Sequence, residues 1–475
     1  MQISKSGRTA GILGLIFISV AVSAMGQTFN TLAIFDGTNG GLPDWNLVQG
    51  RDGNFYGSAG FGGNEDLGTL FRITPEGVLT LLGNLEYSHL SLQGADGNFY
   101  GTTPYVGGAG SVFRMTPSGK LTTLYNFCSL AACADGQSPF GGVIQASDGN
   151  FYGSTSGGGA YGHGTIFKLS AAGVLTTLYS FNAQSFIDTA LVEGNDGNFY
   201  GVTENGGKPV KGTVFQVTPQ GALKTLHTFQ GADGSAPYGA LMLASDGNFY
   251  GTTYTGGASQ SEECGGFGCG TIFRITAAGK LTTLYNFCLA NGCPDGQWPS
   301  GDLFEGTDGS LYGTNQAGGA NGYECVFGNC GTVFRITPAG ELSTLHSFSG
   351  SDGSMPYAGV VQGTDGQFYG STNMGADSSC GGGTGCGSLF TLSTGLGPFV
   401  ETRPLAGKVG ETVTILGENL SAASSVSFGG VTASFQAIGD TTIRAKVPAG
   451  AATGVVDVAT SARTLESRIA FRVVK

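Results

Sequence analysis

Charge is scarce in this chain: Asp, Glu, Lys and Arg together make up 11% of 475 residues, less than half the usual share. Histidine occurs four times, scattered at 89, 163, 227 and 346, and tryptophan twice. Histidines so far apart show no metal-ligand spacing, and two tryptophans exclude a tryptophan-docking repeat. There is no Gly-x-Ser-x-Gly elbow and no Gly-rich phosphate loop between a strand and a helix, so the usual nucleophile and nucleotide signatures are missing. Positive charge is the scarcer sign, with 21 Lys+Arg against 33 Asp+Glu and a formal net charge of −12. Such a chain repels phosphate backbones and anionic membranes, which argues against nucleic acid as a partner. Long apolar runs are lacking as well. The run at 11–22 is too short to cross a bilayer as a helix. It follows Lys5 and Arg8 and precedes small residues suited to cleavage after Ala24 or Gly26, so residues 1–26 read as a secretory signal peptide. The expectation is a secreted or extracellular, soluble chain without a transmembrane anchor.

What the chain has in excess is glycine, 87 residues, together with one recurring phrase. Asp-Gly-Asn-Phe-Tyr-Gly begins at Asp52 and returns at Asp96, Asp148, Asp196 and Asp246, then as Asp-Gly-Ser-Leu-Tyr-Gly at Asp308 and Asp-Gly-Gln-Phe-Tyr-Gly at Asp365. A period near fifty residues marks a repeat architecture. Each repeat supplies four short apolar runs, labelled A to D. Strand A is the Leu/Val run before the hexapeptide, and strand B is Asn-Phe-Tyr-Gly-Thr-Thr, joined to A by an Asp-Gly hairpin turn. Strand C has the pattern Gly-Thr-Val-Phe-Arg-Ile-Thr and strand D the pattern Leu-Thr-Thr-Leu-Tyr-Asn-Phe, linked by Thr-Pro-x-Gly or a close variant. The array opens with a D-type strand at 29–35 and closes with a C-type strand at 388–393. A ring is therefore complete only if the N-terminal strand forms the outer edge of the last sheet. That offset is the closure expected of a seven-bladed β-propeller with four-stranded blades, which removes exposed sheet edges.

Ten cysteines fall in five close pairs: Cys128 with Cys133, Cys264 with Cys269, Cys288 with Cys293, Cys325 with Cys330, and Cys380 with Cys386. In an exported chain these read as local disulfides. Zinc binding is the alternative, but no His stands beside any pair. No metal ligand, cofactor or catalytic residue is assigned.

Through its hexapeptide, its Gly-Thr-Val-Phe-x-Ile-Thr strand and its Leu-Tyr-x-Phe strand, the chain resembles the GloVer tandem-repeat, or choice-of-anchor, family over about residues 28 to 394. The resemblance implies exported, repeat-built proteins with differing anchors and no settled activity; here the segment 471–475 shows neither an anchor helix nor a sorting motif. After Gly395 the hexapeptide stops. The phrases at 410–420, 426–430, 445–448 and 454–458 resemble an IPT/TIG domain, which implies an immunoglobulin-like β-sandwich of the kind used as a spacer or as an adhesion or carbohydrate-associated module. The expected organisation is a signal peptide at 1–26, an all-β propeller at 27–394 and the sandwich at 398–475.

The A to B and C to D turns keep their length, whereas the B to C loops (252–270, 314–331, 371–387) and the D to A links vary and carry every cysteine pair. These two loop classes share one face. The hexapeptide aspartates themselves read as turn formers, since Asp bonds its own backbone. Several D to A links combine Asp-Gly with an aromatic or Pro cluster, and the candidate ligand-binding residues are Asp233, Tyr238, Asp295, Trp298, Asp352 and Tyr357. Aromatics beside carboxylates suit sugars or peptides; the competing reading is that Asp-Gly and Pro only shape turns. The functional expectation is a monomeric, non-enzymatic binding or adhesion protein for an extracellular glycan or protein. The alternative is a carbohydrate-active or lactone-cleaving enzyme using acids at the channel mouth.

Overall fold

The computed structural model describes residues 27–474 apart from 65, 106, 107, 184, 260, 322–324 and 326–329; the signal-peptide expectation lies outside the described residues. Between residues 28 and 393 the strands form seven antiparallel sheets, each ordered A-B-C-D. The first comprises Val48–Gln49, Phe55–Ala59, Thr69–Ile73 and Leu79–Asn84. The sixth carries an extra short strand, Gln297–Pro299, beside its B strand. The seventh takes its A, B and C strands from Val361–Gln362, Phe368–Thr372 and Ser388–Ser393 and its outer strand from Thr28–Ile34, paired antiparallel to the C strand. The terminal offset in the sequence is thus resolved by the N-terminal strand completing the last sheet.

The hexapeptide is explained atom by atom. In every copy the Asp carboxylate accepts the backbone N–H two residues on or the Tyr hydroxyl four residues on, as when Asp246 takes both the Asn248 amide at 2.9 Å and the Tyr250 hydroxyl at 2.9 Å. The Tyr ring then stacks on the hexapeptide Phe of the following sheet: Tyr56 on Phe99, Tyr100 on Phe151, Tyr152 on Phe199, Tyr200 on Phe249, Tyr312 on Phe368 and finally Tyr369 on Phe55, with ring centroids 3.8 to 4.2 Å apart. Between the fifth and sixth sheets Leu311 takes the Phe position against Tyr250. The final Gly leaves room for the strand C Phe; a Cβ on Gly251 would lie 2.6 Å from Phe273 Cζ. Two faces of each sheet are consumed in this way, so strands such as Thr-Val-Phe-Arg-Ile carry apolar residues on both.

Packing between sheets runs round the ring and returns to its start. The cluster joining the seventh sheet to the first holds Tyr369 and Leu389 against Phe55, Phe71 and Ile73. At the inner edge, the last residue of strand A accepts a backbone N–H from the preceding sheet: Gln93 from Arg51, Gln145 from Ala95, Glu193 from Ser147, Glu305 from Ser245, Gln362 from Thr307, and Gln49 from Thr364. The fourth-to-fifth step lacks this bond because Leu243 stands at that position. At the outer edge, the C to D turn glycine has positive φ and sits against the strand D Leu of the previous sheet. Gly77 (φ +92) meets Leu32 of the closing strand as Gly119 (φ +90) meets Leu82.

Residues beyond 398 form a separate sandwich. One sheet pairs Glu401–Arg403, Thr412–Leu416, Thr442–Lys446 and Phe435–Ala437; the other pairs Val431–Thr432, Ala423–Phe428, Val456–Thr460 and Thr464–Glu466. Its core is Val413, Ile415, Val426, Phe428, Ile443, Val456, Val458 and Phe471. The sandwich rests on the hexapeptide-turn end of the first, sixth and seventh sheets. Arg403 donates to Gln49 O at 2.8 Å, Thr441 to Arg51 O at 3.0 Å, Thr364 to Glu418 at 2.9 Å and Arg468 to Glu305 O at 3.0 Å, with the Arg468 guanidinium 4.5 Å from the Phe304 ring centroid. Among the described residues no helix is long and apolar enough to cross a membrane.

Candidate functional site

The end opposite the sandwich is built from two positions in each repeat: the residue following strand B and the residue just ahead of strand A. One backbone device sets both. A non-glycine residue with left-handed backbone recurs in every D to A link: Leu42 (φ 54), Tyr87 (φ 42), Ser138 (φ 56), Phe186 (φ 37), Ala236 (φ 52), Trp298 (φ 58) and Met355 (φ 53). Such conformations cost energy outside glycine and cluster at functional sites. The carbonyls of Phe186, Ala236 and Met355 accept the N–H of Glu204, Tyr254 and Asn373 of the same sheet at 3.0, 2.9 and 3.1 Å. The amides of Trp298, Met355 and Leu42 donate to Cys269 O, Cys330 O and Cys386 O in the B to C loop of the preceding sheet, at 3.0 to 3.1 Å. All five cysteine pairs are disulfide-bonded within themselves, so three of them anchor the strained residue of the next sheet.

Two residues after the strained position, except in the shorter second link, stands the mouth residue: Asp44, Phe140, Asp188, Tyr238, Ser300 or Tyr357. Around the rim, Tyr87, Tyr105, Phe186 and Tyr238 are 37 to 48% exposed. Tyr105 lies 5.8 Å from Tyr87 and 5.5 Å from Phe140; Tyr254 lies 5.9 Å from Tyr238 and 5.8 Å from Trp298, centroid to centroid. Gln316 ties this arc together by accepting from the Tyr254 hydroxyl at 2.9 Å and donating to the Tyr357 hydroxyl at 2.6 Å.

Below the aromatics lie carboxyls. Burial pushes Asp44 up to about 7 against a single bond from Asn373. Asp188 is pushed up to about 6, first by burial and then by the charge of Glu204, which burial also raises. One oxygen of Asp188, Oδ1, is buried without a hydrogen-bond partner among the described residues. Tyr238 is pushed up to about 12 by burial and then by Asp188, Glu204, Tyr357 and Asp44, so these groups share one electrostatic site. Deeper, Asp302 accepts from Ala240 N at 2.6 Å and Asn46 Nδ2 at 2.7 Å, while Asn46 accepts from Gly359 N at 2.7 Å. Links of the first, fifth, sixth and seventh repeats are thereby laced across the centre. Beside them His89 stacks on Trp45 at 4.1 Å, and burial pushes it down to about 4; it begins the strand His89–Gln93 rather than lying in a link.

The sequence candidates divide. Tyr238, Trp298 and Tyr357 come together at the mouth, whereas Asp233, Asp295 and Asp352 do not join them. Each of these carboxylates turns outward to its own strand D: Asp233 to His227 Nε2 at 2.8 Å, Asp352 to His346 Nε2 at 2.9 Å and Asp295 to the Tyr285 hydroxyl at 2.9 Å. Asp233 also takes the Gln230 amide at 2.7 Å, and Asp352 the Ser349 amide at 2.8 Å. For these aspartates the turn-shaping reading holds, and it accounts for the alternation of Tyr and His in strand D, since either supplies the required donor. The acids at the mouth are instead Asp44, Asp188 and Glu204. Their signal was present as the residue two after the strained position and the residue after the strand B Thr, but it emerges only when the seven links are aligned on strand A.

Comparison with known proteins bears on the repeat region and the sandwich. The C-terminal sandwich matches the IPT/TIG domain over residues 401–467. No curated protein matches the chain. Among solved structures, the extracellular domain of a putative hybrid two-component system from B. thetaiotaomicron is similar with a TM-score of 0.50 at 9% identity; the match covers 94% of this chain and 59% of that one, so the chain spans under two thirds of that domain. A putative gluconolactonase (TM-score 0.38, 11% identity, 79% and 94% covered) and a luciferin-regenerating enzyme (0.41, 12%, 79% and 98%) are more distant. The repeat region matches the Gloeobacter/Verrucomicrobia repeat over residues 5–190 and 187–390, and the chain belongs to that family.

Proposed function

We propose that the seven sheets are blades of a closed seven-bladed β-propeller spanning 27–394, joined to a sandwich at 398–475, in an exported cell-surface protein that binds an extracellular glycan at the mouth opposite the sandwich. The observation that carries this reading is the aromatic rim of Tyr87, Tyr105, Phe186 and Tyr238 set over Asp44, Asp188 and Glu204. Aromatic faces stack on the apolar faces of sugar rings, and carboxyls exchange hydrogen bonds with hydroxyls whether ionised or protonated. The test is a glycan pull-down with the purified protein and the triple variant Tyr87→Ala, Tyr105→Ala, Tyr238→Ala. Loss of binding with an unchanged melting curve supports the mouth; retained binding, or binding carried by the sandwich alone, rejects it.

A second reading is favoured by one observation: Asp44 and Asp188 are raised to about 7 and about 6, where carboxyls serve as general acids near neutral pH. A hydrolase would cleave glycoside or lactone substrates and lose that activity, but not binding, on Asp188→Asn.

A further inference from the structure

The fifth blade holds a side-chain cluster that neither the fold nor the mouth requires. Its B to C loop closes Cys264–Cys269 and its D to A link closes Cys288–Cys293, and the four sulfurs lie within 4.8 Å of one another. All four residues are at most 3% exposed. Among the described residues no other group of three or more His, Cys, Asp and Glu gathers in this way. Loop stapling does not call for it. A short disulfide loop contributes about 2 kcal/mol whether or not a second one touches it, and Cys128–Cys133, Cys325–Cys330 and Cys380–Cys386 each staple a loop alone.

Four converging sulfurs suit a soft dication. Zinc held by thiolates at about 2.3 Å sets its ligands about 3.8 Å apart in a tetrahedron, so sulfurs of different pairs need to draw in by about an ångström at most, while the two of each pair, about 2 Å apart as a disulfide, must part by nearly 2 Å once reduced. Polar partners surround them. Ser259 Oγ lies 3.4 Å from Cys269 Sγ, and the Gln297 carboxamide lies 2.9 Å from Cys264 Sγ and 3.3 Å from Cys293 Sγ. A turn of that amide presents its NH2 to thiolates. Glu263, held by Gly292 N at 3.0 Å, sets a carboxylate oxygen 2.8 Å from Cys293 Sγ and 3.9 Å from Cys288 Sγ. Its charge disfavours bare thiolates, and a bound dication halves the thiolate charge that it faces.

We propose that in its thiol state this cluster binds one zinc-class ion through Cys264, Cys269, Cys288 and Cys293. Two equivalents of a phosphine or dithiol reductant deliver four electrons, cleave both S–S bonds and leave four thiols. Binding one dication releases four protons and leaves the site with a net charge of −2. Two equivalents of a small-molecule disulfide, each taking two electrons and two protons and leaving as two thiols, restore both protein disulfides and expel the ion, so disulfide and metal are exclusive states of one site.

The test reduces the purified protein with a phosphine and refolds it without oxygen in the presence of Zn2+ or Co2+. Desalted samples are then assayed for metal per chain, and the cobalt form for the thiolate charge-transfer band. The expected result is one ion per reduced chain and none per oxidised chain. Cys264→Ser with Cys293→Ser should abolish retention, while Cys128→Ser with Cys133→Ser should keep it. Zn2+ should also shield these four thiols of the ten from alkylation, as read by peptide mass. A folded reduced protein without metal, or equal retention by the Cys264/Cys293 variant, overturns the proposal. So does a reduced chain that folds neither with nor without Zn2+, because the proposal requires a folded thiol state.

Discussion

At the scale of single residues, the hexapeptide assigns each letter a different task, and these tasks differ in cost when removed. Tyr250→Phe deletes one hydroxyl bond to Asp246 but keeps the ring packed against Leu311, so urea melting should show a loss of about 1 kcal/mol. Gly251→Ala drives a methyl to within 2.6 Å of a ring atom of buried Phe273; overpacking of that kind costs about 1–3 kcal/mol, and we expect this smaller substitution to be the more damaging of the two. At the mouth, Asp44 is an acid with a raised folded pKa of about 7. Its neutral form is favoured by the fold, so its contribution is fully present below the unfolded carboxyl range and is lost as pH rises through about 7. Asp44→Asn should therefore flatten the fall in melting temperature between about pH 4 and pH 7, and an unchanged slope would remove Asp44 as its source. Residues such as Phe55, Tyr56 and Gly57 were legible in the sequence because local turn chemistry and the sheet period specify them. Asp44, Asp188 and Glu204 were not, because what distinguishes them is burial among neighbours from other repeats, which no single repeat displays.

At the scale of strands and loops, the closing strand is the most exposed dependency of the fold. Thr28–Ile34 gives the seventh sheet its outer edge, stacks Phe29 on His346 at 3.7 Å and offers Leu32 to Gly77 of the first sheet. Deleting residues 27–35 should leave an unpaired edge and a bare packing surface; light scattering should report aggregation, and the melting transition should drop by many degrees. A monomeric truncation with an unchanged melt would contradict the ring. Strand order and this offset were readable because each element recurs seven times and the termini break the pattern in opposite senses. The D to A links were misjudged for a matching reason: Asp-Gly repeats conspicuously in them, yet its carboxylate is consumed by the Tyr or His of strand D one turn away. Conspicuous recurrence there marked structure, and the variable neighbours of that pair marked the mouth.

At the scale of the whole molecule, the two ends differ in kind. The hexapeptide-turn end is partly covered by the sandwich through Arg403, Thr441, Glu418 and Arg468, and the other end carries the exposed rings of Tyr87, Tyr105, Phe186 and Tyr238. Removing residues 398–475 should speed amide exchange at the turns of the first, sixth and seventh sheets and leave the second to fourth as they were; glycan binding at the mouth should persist. Equal exchange in all seven sheets would show that the docked arrangement is not maintained in solution.

The strained link residues have a consequence for how such a molecule is altered. Leu42, Ser138, Ala236 and Met355 each take their amide partner from the loop of the sheet before and give their carbonyl to the strand B side of their own sheet, as Met355 does between Cys330 and Asn373. The cassette that folds and the cassette that builds a mouth position, where we propose recognition, are consequently out of phase by one loop. Transplanting a whole repeat carries one half of a recognition position and orphans the other half in its neighbour. A graft intended to move specificity intact should be cut from the start of one B to C loop to the start of the next, even though that boundary divides a sheet.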